Sequence, residues 1–142
     1  MASPAHDRLF HYTSEDAARS IIDDESDGFG LYFTVGTGNW HGHGMYATDI
    51  APVDTMSMDD VNAYCFGGGA TYAELNYALV LLPYNAEHRF VQTGNPYEWV
   101  ISVSQALEVI RLETLLMKIQ CFDNAGWTTV WFNEDFSMMT SG

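Results

Sequence analysis

Apolar residues along this chain fall into short runs separated by glycine-rich and acidic breaks, and the period of each run predicts its element. Residues 8–12, Arg-Leu-Phe-His-Tyr, are short, aromatic and apolar, as a strand requires. Thr13 and Ser14 then offer side-chain oxygens to orphan amides, and Glu15 and Asp16 suit the positive end of a helix dipole. A helix to about Ile22 is expected, with Ala17, Ala18, Ile21 and Ile22 as its core face and the acids and glycines of residues 23–30 as its end. Glycines at 36, 38, 42 and 44 predict a loop, residues 45–48 a strand, and Pro52 a break. Ser57, Asp59 and Asp60 open a second helix running to about Phe66, which Gly67, Gly68 and Gly69 stop.

Residues 75–82 form a buried strand closed by Pro83, and residues 99–103 form another. Residues 127–132 alternate aromatic with β-branched side chains and predict a C-terminal strand. Segment 106–119 fits both periods: Leu107, Ile110, Leu115 and Ile119 suit a helix, whereas Val109, Ile110 and Leu112 suit a strand. Short strands and two early helices add up to an α+β fold rather than a doubly wound parallel sheet.

The length of 142 residues favours a single domain spanning 1–142, and a hydrophobic content of 47% is enough for a sizeable core. Five Lys and Arg against nineteen Asp and Glu leave a net charge of −14. The cations Arg8, Arg19, Arg89, Arg111 and Lys118 are scattered, so nucleic acid is an unlikely partner. The first twenty residues lack a basic stretch followed by an apolar run, so no signal peptide is readable. No apolar run reaches membrane-spanning length. A cytoplasmic protein, or one delivered into a target cell, is expected, with Cys65 and Cys121 as free thiols.

Several motif chemistries fail on their own spacing. The acidic stretch Asp23-Asp24-Glu25-Ser26-Asp27-Gly28 begins like a calcium loop, but Thr34 stands where a bidentate Glu is needed, which leaves a solvated turn. His41 and His43 lack the further ligands that zinc demands, so no metal is expected. The triplet at 67–69 has no following Lys with Ser or Thr and is no phosphate cradle. There is no nucleophile elbow of the G-x-S-x-G type.

Three segments each join strand character to a chemically useful side chain: Leu9-Phe10-His11-Tyr12-Thr13, Gly44-Met45-Tyr46-Ala47-Thr48-Asp49, and Pro96-Tyr97-Glu98-Trp99-Val100. Taken together they resemble the ADP-ribosyltransferase superfamily, in its compact, HYD1-type toxin-like branch with a histidine, a tyrosine and an acidic residue on three successive strands. The likeness is densest in Leu-Phe-His-Tyr-Thr before a helix and in Gly-Met-Tyr-Ala-Thr-Asp-Ile-Ala-Pro, and it extends from Arg8 to about Val103. It implies a split β-sandwich of two small sheets with N-terminal helices and an NAD-binding cleft between the sheets. It also implies cleavage of the nicotinamide–ribose bond of NAD, used as a substrate, with transfer of ADP-ribose to an unknown acceptor or loss to water.

By this resemblance Glu98 is the catalytic acid, with Glu74, Glu87 and Asp49 as rivals. His11 bonds a ribose hydroxyl, the Tyr12 backbone meets the carboxamide within a motif closed by Thr13, Tyr46 stacks on nicotinamide, and Tyr64 is a second aromatic. Apart from the resemblance, Arg8 and Arg19 flank the first motif and either meet the pyrophosphate or stand solvated. A toxin-type enzyme further implies an immunity or inhibitor protein as partner. The residue types suit the chemistry, since a carboxylate beside the ribose stabilises positive charge that develops only in the transition state. The alternative is a non-enzymatic acidic protein that mimics nucleic acid or docks on a basic partner. An enzyme needs His11, Tyr46 and Glu98 in one cleft; a mimic does not.

Overall fold

Alternation within each strand decides how this chain layers. A computed structural model of the chain describes residues 7–36, 42–83, 89–124 and 126–134. The order among these is β1 (Leu9–Thr13), α1 (Glu15–Ser26), β2 (Tyr32–Thr34), β3 (Gly44–Thr48), α2 (Thr55–Cys65), a 3₁₀ turn (Tyr72–Glu74), β4 (Tyr77–Leu81), β5 (Val91–Gln92), β6 (Glu98–Ser102), β7 (Val109–Arg111), β8 (Leu116–Asp123) and β9 (Gly126–Phe132). The fold is α+β. A seven-stranded antiparallel sheet runs β5-β6-β3-β1-β4-β8-β9, and β2 pairs with β7 in a small second sheet.

Leu9, Met45, Leu79 and Ile101 project to one face of the large sheet and are buried with Ala18 and Ile21 of α1 and with Leu31 and Ile110 from the small sheet's side. Tyr12 and Ala78 project to the other face, against Met58 and Val61 of α2. The large sheet is therefore the middle layer, with α1 and the small sheet on one side and α2 on the other.

Ser14 caps α1, its hydroxyl accepting from the Ala17 amide, as its position before Glu15 and Asp16 leads one to expect. The helix, however, continues through Asp23, Asp24 and Glu25 to Ser26, four residues past Ile22, so these acids form its last turn rather than a loop. At α2 the cap is Asp54, whose carboxylate accepts from the Ser57 amide while the Ser57 hydroxyl accepts from the Asp54 amide. Its far end closes where the Gly68 amide donates to the Asn62 carbonyl, with Gly67 and Gly68 at positive φ. The ambiguous segment 106–119 resolves as β7, a turn and the start of β8. The two sheets hold seven strands and two, rather than being a matched small pair.

Candidate active site

β1 and β3 are neighbours, yet Phe10↔Thr48 is the one registered pair between them. Towards Tyr12 and Gly44 the ladder does not continue. A side chain bridges there instead: His11 Nδ1 lies 2.6 Å from the Tyr46 carbonyl oxygen. A carbonyl only accepts, so in this contact Nδ1 carries the proton, and in the neutral ring Nε2 keeps the lone pair. Phe33 of β2 meets the imidazole edge-on, with ring centroids 5.0 Å apart. Desolvation by this partly buried setting pushes the His11 pKa below the usual histidine range, against the opposing effect of the Tyr46 carbonyl.

β3 and β6 pair along their whole length, with Thr48 opposite Glu98 and Tyr46 opposite Val100. Opposed residues share a face, so Tyr46, Thr48 and Glu98 all project towards α2, as do Phe10 and Tyr12 by alternation on β1. Gly44 permits the close fit of these strands. A Cβ there would collide with the Ile101 carbonyl and the Val100 side chain.

A cavity of about 570 Å³ opens between this part of the sheet and the C-terminal half of α2. His11, Tyr46 and Glu98 line it, from three adjacent strands. Phe10, Thr48 and Tyr12 complete the sheet side, and Val61, Cys65 and Phe66 form the helix side. It therefore lies between the large sheet and α2, not between the two sheets as the resemblance implies, because the small sheet packs on the opposite face behind His11.

Glu98 is 7% exposed, and Thr93 holds it: the Thr93 hydroxyl donates to Oε1 at 3.0 Å and the Thr93 amide donates to the Glu98 carbonyl at 3.0 Å. The Tyr46 hydroxyl donates to the Gly42 carbonyl, which ties down the outer end of that ring. The Tyr12 phenol donates to the Ile50 carbonyl at 2.7 Å, and burial raises its pKa far above the usual tyrosine value. The Cys65 thiol is pushed up to about 11, first by burial and further by the charges of Glu98 and Asp49, while a bond with Thr48 pulls the other way.

A second cavity, of about 420 Å³, shares His11, Tyr12 and Phe66 with the first and adds Thr13, Ser14, Gly69 and Glu74. Thr13 belongs to this second cavity and does not line the first. Glu74 also stands here, its carboxylate accepting from the Thr71 amide and hydroxyl, bonds that lower its pKa. Tyr64 lines neither cavity. Its ring stacks on Tyr97 at 4.4 Å and is 49% exposed, while Phe66, two residues on, supplies the aromatic wall.

Neither Arg8 nor Arg19 lines either of these two cavities: Arg8 donates to the Asp7 carbonyl and Arg19 pairs with Glu15 at 2.6 Å. Glu87 and His41 lie outside the described residues. Among the described residues no cluster of His, Cys, Asp and Glu fit to hold a metal occurs, and no helix is long and apolar enough to cross a membrane. Sequence reasoning missed Thr93, Cys65 and Phe66. The spacing of Val61 and Cys65, one helical turn apart, is the signal that puts Cys65 on the sheet-facing side of α2.

No protein-family model, curated protein or solved structure matches this chain.

Proposed function

We propose that this protein is an NAD-dependent ADP-ribosyltransferase with an ADP-ribosyltransferase-like split sheet, acting on an acceptor yet to be identified and using water when none is present. The observation that carries this reading is the meeting of His11, Tyr46 and Glu98 in one cavity, in the strand order that the resemblance implies. In the reaction the C1′–N1 bond of NAD breaks, its electron pair goes to the nicotinamide nitrogen, the acceptor's nucleophile bonds C1′, and the acceptor's proton leaves to solvent. The Glu98 carboxylate faces the developing ribose cation, Tyr46 stacks on the departing ring, and neutral His11 accepts a ribose hydroxyl at Nε2. No step requires a metal.

An acidic mimic would have no use for an aromatic cavity with a buried carboxylate at its floor, which weighs for the enzyme over the docking protein. The test is incubation with NAD labelled in its adenine, followed by assay of free nicotinamide and of labelled macromolecules. Nicotinamide release is expected. If none appears with or without a cell extract as acceptor source, the reading fails.

A further inference from the structure

The substrate that this cavity recognises is set by where the chain keeps its positive charge. All five Lys and Arg residues of the sequence fall within the described part. None lines the catalytic cavity or the one beside it. Arg19 and Arg111 are engaged by Glu15 and Glu113, both at 2.6 Å. Lys118 stands on β8, two strands beyond β1. Arg89 is exposed ahead of β5, and Arg8 precedes β1, donating to the Asp7 carbonyl.

The cavity itself is built for the opposite sign. Glu98 is its buried charge, and Asp49 lies near enough to raise the neighbouring thiol together with Glu98. The wall carrying Cys65 and Phe66 is the C-terminal end of α2, where the helix dipole presents partial negative charge. The second cavity adds Glu74 and reaches Ser14, the N-cap of α1, where the positive end of that helix dipole is already answered by Glu15 and Asp16 of its first turn. A pyrophosphate laid along these two cavities would meet Glu98 and Glu74 with no Lys or Arg among the described lining residues, whereas the nicotinamide ring of the oxidised cofactor is a cation.

Resting on the function proposed above, we infer that the site recognises the nicotinamide riboside cation as its substrate unit, and that the phosphates and adenosine of NAD contribute little to binding. With the bare riboside the C1′–N1 bond breaks, its electron pair stays on the nicotinamide nitrogen, water oxygen bonds C1′, and a proton passes to solvent, giving ribose and nicotinamide.

The experiment compares nicotinamide riboside with NAD as substrates of the intact chain, by nicotinamide release at ionic strengths of about 0.01 M and 0.15 M, between which the screening length falls from about 30 Å to about 8 Å. The riboside is expected to match or exceed NAD in kcat/KM. Added salt should lower the riboside's kcat/KM and raise that of NAD, by about threefold each. Arg8→Gln and Arg89→Gln should leave the KM for NAD unchanged.

A riboside kcat/KM more than about tenfold below that of NAD, or a KM for NAD raised about tenfold by either arginine variant, would overturn the inference, because each corresponds to about 1.4 kcal/mol drawn from the phosphate half. If neither compound is cleaved, the proposed chemistry fails and binding decides the selectivity by itself. Displacement of the His11 ring resonances by the riboside at concentrations no higher than NAD requires supports it, and displacement by NAD alone, by NAD at about tenfold lower concentration than the riboside, or by neither refutes it.

Discussion

Replacing Glu98 by Gln deletes one negative charge while keeping the shape of the side chain. The Gln carbonyl oxygen accepts the Thr93 hydroxyl as Oε1 does, so folding is expected to survive. What is lost, if the proposed reaction holds, is attraction between a carboxylate and a ribose cation, taken as about 4 Å away. That attraction is about 1 kcal/mol in bulk water and about 4 kcal/mol at the effective dielectric of 20 that fits protein sites. The choice between them rests on exposure, and Glu98 is 7% exposed beneath α2 and the loop from Thr93. The protein value applies, and it corresponds to a fall in kcat of about 10³, against about fivefold for the aqueous value. KM should change little, since in the proposed function ground-state NAD is held mainly by stacking on Tyr46 and by the His11 strand. Steady-state nicotinamide release gives kcat and KM, and thermal melting checks the fold. A variant that melts like the parent and turns over within about fivefold of it would refute the role given to Glu98.

The remaining predictions use the titrating groups at the same cavity. His11 has its folded pKa lowered by desolvation, so as pH falls through its unfolded value of about 6.5 the unfolded chain takes up a proton that the folded chain refuses, and stability is lost with a slope of at most about 1.4 kcal/mol per pH unit. Urea midpoints near pH 7.5 and pH 5.5 should therefore fall less in His11→Gln than in the parent; equal falls would contradict the assignment. Cys65, with its thiol near 11, should be alkylated about a hundredfold more slowly than an ordinary cysteine at pH of about 8, measured in a Cys121→Ser background. Adding Glu98→Gln should speed that reaction, and an unchanged rate would show that the two groups do not sense each other.

Much of this architecture is legible before any coordinates, and the reasons differ from element to element. The strands carrying His11 and Tyr46 are bounded by strong punctuation, a capping Ser14 after one and Gly44 before the other, and local signals of that kind survive folding. β2, β5 and β7 have three, two and three residues, too few for any period to register, and pairing with distant partners is what makes them strands. Segment 106–119 is open to either period because its β-branched residues lie at positions that satisfy both, and only the ladders from β2 to β7 and from β4 to β8 decide it. At the site, strand order followed from motif order. The opposite wall did not, since which face of α2 meets the sheet is a matter of packing, and it put Phe66 rather than Tyr64 on the cavity.

The sparse join between β1 and β3 also has a mechanical meaning. It divides the large sheet into two plates, β5-β6-β3 and β1-β4-β8-β9, each laced internally by ladders of more than one pair, with register shifts at Val80/Leu81 and Ile119/Gln120 in the second. Across the seam stand the Phe10 and Thr48 pairing, the imidazole contact to Tyr46 and, just past the end of β3, the Tyr12 phenol donating to the Ile50 carbonyl. The cavity straddles that seam, with Tyr46 and Glu98 on one plate and Phe10, His11 and Tyr12 on the other. Its sheet side thus spans two separately paired sets of strands, while α2 closes it from the other side. A molecule gripped from both sides acts as a keystone, locking the plates at one angle, and the stiffness of the sheet becomes a property of the occupied protein more than of the empty one.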